Sequence, residues 1–166
     1  MNRRNIITLA LCLTAVLSVS SEKAKQSSAN PRTESKVSQS RSNGKYKRTT
    51  ETFTGDILVA RKDEVSIKDN GTIDYVFLKL FRDGTMTYAS TFNKAARNTI
   101  RSYYHQGKMV VEEGDQDGDG FFETLILFDA AEQPVEAFSR SKDGTVAEFS
   151  KEELSKLKQS FAKLQE

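Results

Sequence analysis

The chain has 166 residues, 37% of them hydrophobic, with 25 Lys or Arg against 23 Asp or Glu and a net charge of +2. One cysteine and one histidine exclude a disulfide framework, a zinc-thiolate site and a histidine metal cluster. The near-neutral total hides an uneven split. Residues 21–50 hold eight Lys or Arg and two Glu, whereas residues 51–166 hold fifteen Lys or Arg and twenty-one Asp or Glu. Such asymmetry marks two kinds of chain.

At the N-terminus, Arg3 and Arg4 precede an apolar run over residues 6–19, broken only by Thr8, Thr14 and Ser18. Ser18 and Ser20 flank Val19 in a small-x-small pattern. Together these predict a secretory signal peptide over residues 1–20, cleaved after Ser20. The run is 14 residues long, short of the roughly 20 that a membrane-spanning helix needs. No transmembrane segment is therefore expected after cleavage. Cys12 follows Leu11 inside the run, without the small residue that a lipid anchor requires before its cysteine. Cleavage removes this cysteine and with it any thiol nucleophile. Export without disulfides fits a bacterial periplasm or exterior.

Residues 21–50 read SEKAKQSSANPRTESKVSQSRSNGKYKRTT, with Val37 and Tyr46 as the large apolar residues. Such a stretch buries too little apolar surface to offset its ordering entropy. It is expected to be a disordered, basic, Ser-rich linker. It would act as a solvated spacer or as a tether to an anionic envelope polymer.

Residues 51–166 are expected to form one mainly β domain. ILVA (57–60) is an early strand. IDYVFLKLF (73–81) and TMTYASTF (85–92) flank Asp83-Gly84. TIRSYYH (99–105) and KMVVEE (108–113) flank Gln106-Gly107. FFETLILF (121–128) and VEAFS (135–139) flank a looser turn with Pro134. Asp-Gly between β-rich runs is a strong hairpin signal. Asp69-Asn70-Gly71 and Asp143-Gly144 supply further turns. Aromatics before the hairpin turns fall at Phe81, Tyr104 and Phe128, spaced by 23 and 24 residues. Hairpins repeated in this way predict an antiparallel meander. The pattern then changes period. Leu154, Leu157, Phe161 and Leu164 make one stripe of an amphipathic helix over 151–165. Ser150 and Glu153 form a capping box, with Phe149 and Leu154 as its hydrophobic staple.

The most chemical stretch is GDQDGDGFFETLILFD, 114–129. Asp115, Asp117 and Asp119 alternate, Gly120 permits a sharp turn, and Glu123 follows. Hard cations such as Ca²⁺ take six to eight oxygen ligands, which a short chain supplies by winding round the ion. The metal set is then the side chains of Asp115, Asp117, Asp119 and Glu123 with the backbone carbonyl of Phe121. An EF-hand places a bidentate glutamate at loop position 12, but Ile126 stands there, and both flanks read as strand. Glu112 and Glu113 bring the carboxylates between residues 112 and 123 to six, with no Lys or Arg among them. Their mutual repulsion favours a divalent occupant. The loop resembles the calcium loops of FG-GAP repeats, whose pattern is Asp-x-Asp-x-Asp-Gly-x-x-Asp running into a strand. By that resemblance Asp115, Asp117, Asp119 and Glu123 give side-chain oxygens and Phe121 its carbonyl, with Glu123 in place of an aspartate. Residues 103–129 also look like the hairpin repeats of exported bacterial proteins, in which an Asp-rich turn alternates with tyrosine-rich strands.

His105, the single histidine, sits at a predicted turn with no nucleophile recognisably paired to it. It is the basis of an alternative reading as a hydrolase using His105 with loop carboxylates. No phosphate loop or Gly-x-Ser-x-Gly element is present, and nothing points to nucleic acid. Asn70-Gly71-Thr72 is a glycosylation sequon that matters only on a eukaryotic secretory route. Phe92, Tyr103 and Tyr104 form either sheet core or an aromatic binding face. The expectation is thus an exported, non-enzymatic β domain with one structural Ca²⁺. The main alternative is an envelope interaction module that meets a polymer or protein through the basic segment or an aromatic face.

Overall fold

The structure, a computed structural model, describes residues 31–164. Its elements are β1 (Thr33–Ser42), β2 (Lys45–Thr54), β3 (Ile57–Ser66), β4 (Tyr75–Arg82), β5 (Thr85–Asn93), β6 (Asn98–His105), β7 (Lys108–Asp115), β8 (Thr124–Phe128), β9 (Pro134–Arg140), β10 (Val146–Glu148) and α1 (Lys151–Leu164). Every strand pairs antiparallel with its chain neighbours, so the sheet order is the sequence order. This is the mainly β meander with a C-terminal helix that the hairpin signals imply. Asp83-Gly84 and Gln106-Gly107 both have φ values of +50° to +79°. Two successive left-handed residues make the turn whose twist matches the flanking strands.

Residues 33–50 correct the sequence expectation. Where a disordered linker was expected, the chain forms β1 and the first part of β2. Asn43-Gly44, with φ of 51° and 68°, is a hairpin turn of the same kind. Asn-Gly is a local hairpin signal that composition does not carry. The shortage of apolar residues does show in the structure, since every residue of β1 is exposed. Order comes instead from a ten-pair ladder, Thr33↔Thr54 to Ser42↔Lys45, and from side chains lying along it. Lys36 sits 4.7 Å from the Phe53 ring centroid, and Ser35 and Thr52 share a 3.2 Å hydrogen bond. Ion pairs then tie β2 to β3, Lys47–Asp63 at 3.2 Å and Arg48–Glu64 at 3.9 Å. The described domain therefore starts with Thr33, not at residue 51. The expected signal peptide (1–20) and the first part of the linker (21–30) lie outside the described residues.

The aromatic spacing has a structural cause. Register shifts fall between Leu80 and Phe81, Tyr103 and Tyr104, and Leu127 and Phe128. Another falls between Thr52 and Phe53. Each aromatic thus stands at a β-bulge just before a hairpin turn, where the strand bends and twists.

Helix α1 starts as its sequence requires. Ser150 donates its backbone N–H to Glu153 Oε2 at 2.7 Å, and the Glu153 N–H returns to Ser150 Oγ at 3.3 Å. The helix is assigned to Leu164; Gln165 and the Leu164 side chain lie outside the described residues. Leu154, Leu157, Phe161 and the staple residue Phe149 pack on Ile126, Phe128 and Ala137. The Phe128 and Phe161 rings meet edge to face at 5.2 Å. Elsewhere the sheet is a single layer. Among the described residues, the buried hydrophobics are Phe122, Ile126, Phe128 and Ala137, all in the C-terminal half. No described helix is long and apolar enough to cross a membrane.

Candidate metal centre

The acidic stretch joins β7 to β8. Asp115 ends β7 and is 4% exposed. Its carboxylate is wrapped by the turn that follows, accepting from the Gly118 N–H at 2.7 Å and the Gly120 N–H at 3.1 Å. Asp117 accepts from the Asp119 N–H at 3.2 Å, and Asp119 accepts from the Phe121 N–H at 2.8 Å. Glu123 folds back to accept from the Gln116 N–H at 2.9 Å. The chain is thereby wound so that one carboxylate oxygen from each of Asp115, Asp117, Asp119 and Glu123 lies within 4.8 Å of the others. Four acidic side chains so placed can hold a metal ion. The sequence brought these four together correctly. Phe121 follows in the same turn, half-buried.

The other two carboxylates of the 112–123 run belong to the sheet. Glu113 accepts from Arg140 Nη2 at 2.9 Å and from the Tyr103 hydroxyl at 3.0 Å. Burial and that bond to Glu113 both raise the Tyr103 hydroxyl above its ordinary value. Glu112, on the opposite face, accepts from Ser102 Oγ at 3.3 Å, and burial raises its carboxyl above the usual range. Alternation along β7 explains the division, because neighbouring residues leave a strand on opposite faces.

Three contacts that sequence reasoning missed hold the loop. Gly118, at φ 75°, lies against the Arg97 backbone carbonyl of the β5–β6 turn, where a Cβ would collide with it. The Arg140 N–H donates to the Glu123 carbonyl at 2.6 Å. Lys142, from the β9–β10 turn, forms an ion pair with Asp119 Oδ2. Only the meander makes these turns neighbours. Loops that follow β3, β5, β7 and β9 all emerge at the same end of the sheet.

The β3–β4 connection provides an internal comparison. Residues 67–74 follow the course of residues 116–123, forty-nine positions earlier. The Ile67 N–H donates to Asp74 Oδ2 at 2.6 Å, as the Gln116 N–H does to Glu123. The Thr72 N–H donates to Asn70 Oδ1 at 3.0 Å, as the Phe121 N–H does to Asp119. Asp69 and Gly71 have φ of 45° and 79°, against 75° and 89° at Gly118 and Gly120. Each loop begins on a buried polar residue, Ser66 or Asp115. Yet Ser66, Lys68 and Asn70 stand where the second loop has Asp115, Asp117 and Asp119. The same backbone path is thus built without the three aspartates.

His105 ends β6 at the opposite end of the sheet. Thr99 pairs with Asp115, and six further residues of strand, about 20 Å, separate it from His105. The imidazole and the loop carboxylates do not meet. The three aromatics do not share a platform either. Tyr103 and Tyr104 leave β6 on opposite faces, and Tyr103 packs edge-on against Tyr88 at 5.5 Å. Comparison of the chain with protein-family models and with curated proteins gives no match.

Proposed function

We propose that the loop 115–123 binds one Ca²⁺ and that the ion is a structural component of an exported, non-enzymatic β domain. The observation that carries this reading is the pair of equivalent loops. The β3–β4 loop reaches the same path with Ser66, Lys68 and Asn70 while keeping a carboxylate at Asp74, so the turn itself does not require the three aspartates. Placing Asp115, Asp117, Asp119 and Glu123 together costs electrostatic free energy, and a hard divalent cation offsets it. The donor set is all oxygen, which suits Ca²⁺ and not softer metals. The Phe121 carbonyl would complete five protein ligands, with water filling the remaining positions. Without a glutamate at the twelfth position, affinity should fall in the extracellular range of about 10⁻⁴–10⁻³ M. The apolar run and small-x-small pattern at the N-terminus support export to a periplasm or exterior, where calcium is available at such concentrations.

The test is calorimetric titration of Ca²⁺ into chelator-treated full-length protein, with Asp117→Asn and Asp119→Asn as controls. One site per chain is expected, lost in both variants. At ten times Kd the ion should add about 1.4 kcal/mol of stability, read as a higher melting temperature. Absence of heat and of any melting shift up to several millimolar would reduce the loop to a turn. The envelope-module reading is supported by β1, an edge strand with every residue exposed. Loss of envelope association when Lys36 and Arg41 of β1 are replaced by Gln, with the melting temperature retained, would favour it.

A further inference from the structure

We propose that Lys142 is a tethered competitor for the cation, an ammonium that occupies Asp119 in the ion-free loop and must leave when a divalent ion enters. The inference rests on the calcium reading of the loop and names what sets that site's affinity. Its ground is placement. Lys142 belongs to the β9–β10 turn and not to the loop, and its ammonium is paired with Asp119 Oδ2, the carboxylate that stands beside the other three. Its side chain is 63% exposed and that of Asp119 32%, so the lysine can swing into solvent without opening the core. The turn around it is held independently. Asp143 Oδ1 accepts from the Thr145 N–H at 2.9 Å, and Ser141 and Thr145 are joined through the backbone, also at 2.9 Å. Departure of the ammonium therefore leaves the turn formed.

Two positive charges cannot share one carboxylate at contact without repulsion. Ion binding must break the Lys142–Asp119 pair, and the free energy of that pair is subtracted from the affinity. An exposed pair is weak, while the repulsion it exerts on a doubly charged ion is larger. Removing the ammonium should tighten Ca²⁺ about three- to tenfold.

The experiment is calcium titration of the full-length wild-type protein, Lys142→Met and Lys142→Arg, each also melted in chelator. Lys142→Met preserves the stem and removes the charge. It should bind Ca²⁺ three- to tenfold more tightly than wild type, yet melt lower in chelator because the loop has lost its counter-ion. Lys142→Arg should bind like wild type. A merely structural lysine would lower melting both with and without calcium and leave Kd unmoved. Equal Kd for wild type and Lys142→Met would overturn the inference while leaving the calcium site standing. Binding by Lys142→Met alone would support the competition and remove the wild-type protein from the calcium binders. Binding by none of the three would overturn both readings.

Discussion

At the scale of single residues, the loop depends on positions that carry no charge. Gly118 combines a left-handed φ of 75° with contact against the Arg97 carbonyl. Gly118→Ala should cost about 1–3 kcal/mol in urea denaturation and weaken the proposed calcium binding, because the loop can no longer seat on the β5–β6 turn. The equivalent position in the β3–β4 loop is Asp69, so the left-handed conformation alone does not demand glycine there; the close approach does. Glu112 behaves differently. Burial raises its carboxyl, and the Ser102 hydroxyl opposes this only in part. A carboxyl raised on folding stabilises the protein below its unfolded value and loses that contribution as pH rises through the folded value. Glu112→Gln should therefore raise the melting temperature at pH 7, with the difference vanishing below about pH 4. A lower melting temperature for the variant at pH 7 would contradict that account.

Elements were legible where their signals are local. The capping box at Ser150 and Glu153 could be read three residues apart, and the structure forms it. Ser150→Ala should destabilise the protein by about 1 kcal/mol, measured by thermal melting, because it frees the first turn of α1 and loosens the stripe over Phe128 and Ala137. The Asp-Gly and Gln-Gly hairpins were legible for the same reason. β1 and β2 were not. Their sequence offers little apolar surface to bury, and a strand paired on a ladder with exposed faces needs little of it. Asn43-Gly44 held the local information that hydrophobicity did not. β8 begins at Thr124 and not at Phe121, because residues 121–123 belong to the loop and Phe122 turns inward beneath Arg101, whose guanidinium lies 3.9 Å from the ring centroid.

At the scale of the whole described domain, stability should be graded along the chain. Contacts run between adjacent strands and from α1 to β9, and the buried hydrophobics lie in the C-terminal half. A stack with neighbour contacts alone opens from its weaker end. Amide hydrogen exchange should be fastest in β1, intermediate in β3 to β5, and slowest in β8 and β9 beneath α1. Protection of β1 equal to that of β8 would show that something covers the edge strand. The sheet also separates its chemistry by end. The acidic loop, the Lys142 turn and the Arg97 turn share one end, and His105 with the Gln106-Gly107 turn occupies the other.

The sequence by itself determined the meander, the helix and the four carboxylates, because each follows from neighbours within about ten residues: a turn dipeptide, a cap, an alternation of aspartates. The tertiary structure decided what those carboxylates face. Whether Glu113 joins the loop or pairs with Arg140, and whether a lysine reaches Asp119, depends on strand register and on which turns share an end of the sheet. Those are long-range facts, fixed by cross-strand pairing between residues up to 27 positions apart. The equivalence of the two loops was hidden for a related reason. It resides in backbone path and in the amide bonds to Asn70 and Asp74, while Ser66, Lys68 and Asn70 in place of three aspartates conceal it.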